Sequence, residues 1–153
     1  LIVAKPDFAA AMPNMLRHEG KWEGTYRHVD CATGALLDQH HMWTWCEFPD
    51  AGPYAYVQHN RLRWDDGTTR EVEFGGVYRD GRIYWDTDRF TGYGWETEEG
   101  VLMLKLDRLD EPDSYYIEMI AIAPDNRTRA RTWQWFKGGK PWKRTLCDEW
   151  RID

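Results

Sequence analysis

Nothing in this sequence approaches the roughly 18 consecutive apolar residues that a membrane-spanning helix needs, so no membrane partner is expected. Cysteine is scarce: Cys31, Cys46 and Cys147 are odd in number and show no Cys-x-x-Cys spacing, which argues against a disulfide framework. Positive charge is in deficit, with 20 Lys and Arg against 26 Asp and Glu and a net charge of −6, so phosphate-backbone binding and hence a nucleic-acid partner are not expected. The local run Arg127, Arg129, Arg131 reads as a solvated strand face or as salt-bridge partners for the acidic surplus. No Gly-rich phosphate loop, Gly-x-Ser-x-Gly elbow or Cys–His pairing occurs in the right context, which removes the common hydrolases, nucleotide enzymes and thiol enzymes. The first residues carry no basic stretch followed by a long apolar one, and a cytoplasmic location is the expectation.

What the sequence has in abundance is tryptophan, ten in 153 residues, set mostly in runs where large and polar side chains alternate. Alternation with period two is the mark of strands with one buried face, and the aromatic weight favours the same state. Candidate strands are 21–30, 36–48, 54–64, 70–79, 82–88, 93–98, 101–108, 114–123, 128–137 and 141–152. They are joined by turn chemistry, including Asp65-Asp66-Gly67, Asp80-Gly81, Glu99-Gly100, Pro124-Asp125-Asn126 and Gly138-Gly139. Pro6 to His18 reads as a short helix or helical turn stopped at Gly20. With no crossover helices, a parallel sheet is excluded; closing about eight to ten hairpin-linked strands into an up-and-down antiparallel barrel removes the exposed edges an open sheet would leave. The expected organisation is an N-terminal helical segment over residues 1–20 and one all-β barrel domain over 21–153. Gly75-Gly76, Gly92 and Gly94 mark bends or close approaches, with Gly94, beside Trp95, the place a ligand could come nearest.

Gly20-Lys21-Trp22-Glu23-Gly24, after a short helix and at the start of the first strand, resembles the Gly-x-Trp opening of lipocalins and related calycin barrels. The runs Leu37–Asp50, Glu71–Asp86 and Arg129–Trp150 are similar to bacterial and fungal lipocalin-like domains. The resemblance implies a barrel whose floor is closed by Trp22, with a late basic residue, Arg144 or Arg151, over its ring, and small-molecule handling inside. With no signal segment read in these residues and no disulfide-ready cysteines, transport outside the cell, as by the secreted members of that superfamily, is not the expectation.

Strand alternation sorts the polar side chains by face. If Trp22 points inward, so do Tyr26 and His28; we take the faces carrying His40 and Gln58 as inward too, because the opposite face of the third strand presents His59, Arg61 and Arg63. The cavity wall is then Tyr26, His28, His40, Tyr56, Gln58 and Asn60, faced by Trp85, Trp95, Glu118, Arg131, Trp133 and Trp135. Aromatic rings with a few hydrogen-bonding groups suit a hydrophobic, aromatic or polycyclic small molecule. His40, with Asp38 two residues earlier, has the type and spacing for an oriented acid or base, or for a packed, hydrogen-bonded histidine. Glu118, in an apolar strand, reads as a proton donor of raised pKa or as the partner of Arg129 or Arg131.

His40 and His41 point to opposite faces and cannot share an ion, and no His-x-His pair of cupin type occurs; neither metal nor other cofactor is the expectation, with a metal on His28, His40 and Asp38 or a haem on one histidine as the weaker readings. The leading expectation is therefore a binding barrel. The first alternative is a cofactor-independent cyclase, isomerase, hydratase or lyase using His40, Glu118 and Tyr26 in the same cavity. The second is a carbohydrate-binding surface on Trp43 and Trp45 or on Trp133 and Trp135, which predicts outward rings and a filled interior. Exposed aromatics of that kind also fit a homodimer contact.

Overall fold

The computed structural model describes residues 5–153; residues 1–4 of the expected helical segment lie outside them. Ten antiparallel strands follow one short helix: α1 (Lys5–Ala11), β1 (Gly20–Asp30), β2 (Leu36–Glu47), β3 (Tyr56–Arg63), β4 (Thr69–Arg79), β5 (Arg82–Asp86), β6 (Phe90–Glu96), β7 (Leu102–Arg108), β8 (Ser114–Ile122), β9 (Thr128–Lys137) and β10 (Lys140–Arg151). Each pairs with its sequence neighbours, and β1 closes the barrel against β10 from Trp22 opposite Arg151 to Asp30 opposite Lys143. Tight turns enforce this order. Asp80-Gly81 and Gly138-Gly139 hold both central residues at positive φ, 49° and 82° in the first and 57° and 76° in the second, the twist a two-residue hairpin needs.

The expected Pro6–His18 helix is interrupted. After α1, Pro13 offers no backbone N–H to continue the ladder, and the chain restarts as a 3-10 turn over Met15–His18. Glu96 receives that restart: its carboxylate accepts from the backbone N–H groups of Asn14 (3.1 Å) and Met15 (3.2 Å). Phe8, Met12 and Met15 plug one end of the barrel, with Phe8 against Phe48 and Tyr78.

Trp22 is fully buried at this closed end, and its indole N–H donates to the His18 carbonyl at 2.9 Å. Of the two late arginines, it is Arg151 whose guanidinium lies on the ring, 4.4 Å from the centroid, whereas Arg144 is exposed. Arg151 also donates to the carbonyls of Arg17, Glu19 and Asn126, tying the entering chain to the β8–β9 turn. Arg129 is a second cation on Trp22, at 4.5 Å.

Of the two readings of the arginine run, Arg129 and Arg131 take the salt-bridge one, while Arg127 is exposed. Arg129 and Arg131 are both buried inside the barrel, paired with carboxylates as buried cations must be. Arg129 Nε donates to Glu149 at 2.8 Å, Arg131 Nε donates to Glu118 at 2.9 Å, and Arg131 reaches Glu149 at 3.5 Å. Two cations and two anions thus balance in one layer. Burial raises the Glu149 pKa, but Arg129 and Arg131 lower it further, and the net shift is downward. Removing one member leaves an uncompensated charge, so Glu149→Ala should lower the unfolding free energy by about 3–5 kcal/mol in urea titration; a loss below about 1 kcal/mol would show that water already screens the layer.

His18 faces this layer, where its Nδ1 accepts from Arg129 at 3.1 Å. Burial first, then Arg129, Arg131, Arg17 and Arg151, hold its pKa well below 6.5, so the folded protein keeps it neutral while the unfolded chain protonates it. Its contribution to stability is complete above pH 6.5 and declines as pH falls below that value. Urea midpoints should accordingly drop between pH 7 and pH 5, and His18→Gln should flatten that part of the profile; an unchanged slope would remove His18 as its cause.

Candidate functional site

Above the charge layer the barrel is hollow, and the other end is open. Because neighbouring strands alternate in direction, the ends of odd-numbered strands and the starts of even-numbered ones gather there. The cavity is about 210 Å³, lined by rings and aliphatic groups (Phe74, Trp85, Phe90, Leu104, Leu106, Tyr116, Trp133, Trp135) with a polar wall of Tyr26, His28, His40, Gln58 and Asn60. A solid interior, as the carbohydrate-surface reading requires, is not found; Trp133 and Trp135 face the cavity. Trp43 and Trp45 do stand on the outer face, Trp43 under the guanidinium groups of Arg61 (5.4 Å) and Arg63 (5.2 Å) and Trp45 stacked on His59 at 4.5 Å.

Most residues expected at the site meet around this hollow. Tyr56 lies deeper, next to the charge layer, and begins a hydrogen-bond run along β3: its hydroxyl donates to Gln58 at 2.8 Å, and Gln58 Nε2 donates to Asn60 at 3.0 Å. Trp95 is elsewhere. It pairs in register with Met103 and packs on Tyr93, at 5.6 Å, on the outer face of β6, whereas Gly94 faces in. A Cβ on Gly94 would sit 3.1 Å from the Trp85 ring, so this glycine makes room for a protein side chain rather than for a ligand.

Glu118 is fully buried and bound to Arg131, which also donates to the Tyr26 hydroxyl. Burial pushes the Glu118 pKa up, and Arg131 pulls against that shift. Tyr26 is likewise raised, by burial, so it stays a phenol. With its oxygen accepting from Arg131, its own proton remains available to donate.

Two histidines stand nearer the mouth. His28 Nδ1 lies 2.6 Å from Thr145 Oγ1, which accepts from Trp135 Nε1 at 2.8 Å. Burial, then Lys143 and His40, push its pKa down to about 4. His40 is sandwiched among Tyr26 (5.2 Å), His28 (5.5 Å) and Trp64 (4.7 Å), and burial lowers its pKa as well. Both imidazoles are neutral at pH 7. Asp38 stands beside them, its oxygens accepting from Trp64 Nε1 at 3.1 Å.

Sequence reasoning missed the opposite rim. Arg70 at the start of β4, Arg89 in the β5–β6 turn and Arg108 at the end of β7 all line the cavity. They are close enough that, after burial, Arg70 and Arg108 are the largest influences lowering the Arg89 pKa. Arg108 is held by Asp110 (2.6 Å); Arg70 and Arg89 have no ion-pair partner among the described residues. The signal was available: the three lie at strand ends that an up-and-down barrel brings to one rim.

No protein-family model matches the chain, and no curated protein matches it by sequence. Solved structures match in fold. An S-type phycobiliprotein lyase, CPES, from Guillardia theta superposes with a TM-score of 0.71 at 16% identity, covering 90% of each chain. A protein of unknown function from the DUF3598 family of Nostoc punctiforme gives 0.67 at 12% identity over 90% of this chain; this chain spans 49% of that one. Rv2717c from M. tuberculosis gives 0.62 at 14% identity, covering 96% of this chain and 100% of that one. The likeness is one of fold, a closed antiparallel β-barrel.

Proposed function

We propose that this barrel binds a small amphipathic molecule, with an apolar ring system in the cavity and an anionic group at the rim. The observation that carries this reading is the pairing of an aromatic hollow with Arg70, Arg89 and Arg108 on its edge. At about 210 Å³ the cavity is smaller than the roughly 300–1,000 Å³ of sites that enclose drug-sized ligands, so it suits a compact ring body or one end of a longer molecule. Rings supply the area, Gln58, Asn60 and the Tyr26 proton supply orientation, and an arginine with no ion-pair partner among the described residues supplies a fork for carboxylate or phosphate.

The enzymatic alternative uses the same cavity. With the Glu118 carboxylate bound to Arg131, acid–base work on a bound molecule falls to His40, whose neutral ring has a base's protonation state at pH 7, and Tyr26 supplies the hydrogen bond to a developing negative oxygen. The name of the Guillardia protein, a lyase, favours that class among the alternatives.

Titration with 8-anilinonaphthalene-1-sulfonate, followed by its fluorescence and by quenching of the cavity tryptophans, tests the binding reading. Saturable binding at one site per chain is expected. Arg89→Ala with Arg70→Ala should weaken it about ten- to a hundredfold, the equivalent of one or two charge-assisted hydrogen bonds, while uncharged N-phenyl-1-naphthylamine binds as before. Equal loss for the charged and neutral probes would remove the anion from the proposal, and no saturable binding of either would remove the ligand.

A further inference from the structure

The cluster of His28, Asp38 and His40 at the mouth has a second property that the ligand reading does not use. Each of the three offers one ligand-type atom, and these atoms lie within 4.8 Å of one another. His40 is only 6% exposed, yet neither of its ring nitrogens has a hydrogen-bond partner among the described residues. Leaving such atoms buried and unpaired is unfavourable, and native folds rarely do so without a reason. The nearest acceptor to His40 Nδ1 is Asp38, at 3.6 Å, too long for a hydrogen bond. It is close, however, to the roughly 3.4 Å that separates two ligands on one tetrahedral ion with bonds near 2.1 Å.

We propose that His28, Asp38 and His40 form a binding site for a divalent transition-metal ion of the zinc, cobalt or iron type. Two neutral imidazoles and one carboxylate are the donor set such ions take when coordination positions are left open for an outside molecule. The strand geometry supplies the convergence: His28 and Asp38 are directly opposed in the β1–β2 ladder, and His40 follows Asp38 on the same inward face. The surrounding groups also fit. Trp64 donates to both oxygens of Asp38, and Thr145 engages His28 Nδ1, leaving Nε2 as the free donor; outer partners of this kind orient metal ligands. The open positions would face the cavity, where an oxygen of a bound molecule could complete the shell. The site is proposed independently of the anionic ligand, since its donors belong to the protein alone.

The test is a titration of chelator-treated protein with Co²⁺, followed by visible absorption, with Zn²⁺ competition read by calorimetry. One Co²⁺ per chain is expected, with ligand-field bands whose intensity reports four or five ligands and which Zn²⁺ abolishes. His40→Gln and Asp38→Asn should remove the bands, and Trp64→Phe should weaken binding about ten- to a hundredfold. His59→Ala, which alters a histidine paired with Glu47 and Glu73 on the outer face, should leave the bands intact. Absence of bands in the wild-type protein overturns the proposal, as does their persistence in His40→Gln or their loss in His59→Ala. Should His40→Gln fail to fold, Asp38→Asn on its half-exposed side chain decides in its place. Probe binding by the same metal-free protein is read separately, so failure of the ion site and failure of the ligand site give different results.

Discussion

The buried layer of Arg129, Arg131, Glu118 and Glu149 is the constraint on which the rest of this barrel depends. Ten strands enclose more space than their own inward side chains fill, and here the closed end is filled by long charged groups lying flat against Trp22, Tyr26 and Trp133. Such a layer is stable because charge is balanced within it and because each guanidinium has both a carboxylate and a ring to lie against. It also sets a level: below it the buried Phe8, Met12 and Met15 plug the barrel, and above it the barrel is hollow.

That level explains why Glu118 and Tyr26, so suggestive as acid and donor, are differently placed from each other. Glu118 belongs to the layer through Arg131, whereas Tyr26 spans it, with its oxygen on Arg131 and its ring among the cavity rings His40 and Trp133. The mouth differs: among the described residues Arg70 and Arg89 have no ion-pair partner there, and the ring nitrogens of His40 have no hydrogen-bond partner.

Strand boundaries, hairpin turns and inward faces were legible because they are local. Alternation over a few residues fixes which side chains share a face, and Asp80-Gly81 and Gly138-Gly139 fix where the chain reverses. The inward placement of Tyr26, His28, His40 and Gln58 follows from those two facts. Trp95 escaped the same reasoning because Phe90, Gly92 and Gly94, not the aromatic pair Tyr93 and Trp95, make the inward face of β6; two glycines leave no hydrophobic mark in the pattern, and the large rings drew the eye to the wrong side. The arginine run stayed open between a solvated face and salt-bridge partners for a related reason: basic residues at alternate positions look like a solvated face until the carboxylates that neutralise them are known.

The sequence by itself therefore determined an antiparallel barrel, its turns and most of the side chains that line its interior, since period and turn chemistry are properties of neighbouring residues. Tertiary structure decided everything that depends on closure. The β1–β10 pairing and the stagger around the ring bring Arg131 to Tyr26, 105 positions away, and set Arg129 on Trp22 and His18. No local pattern encodes those meetings, because they follow from how ten strands pack around one shared volume.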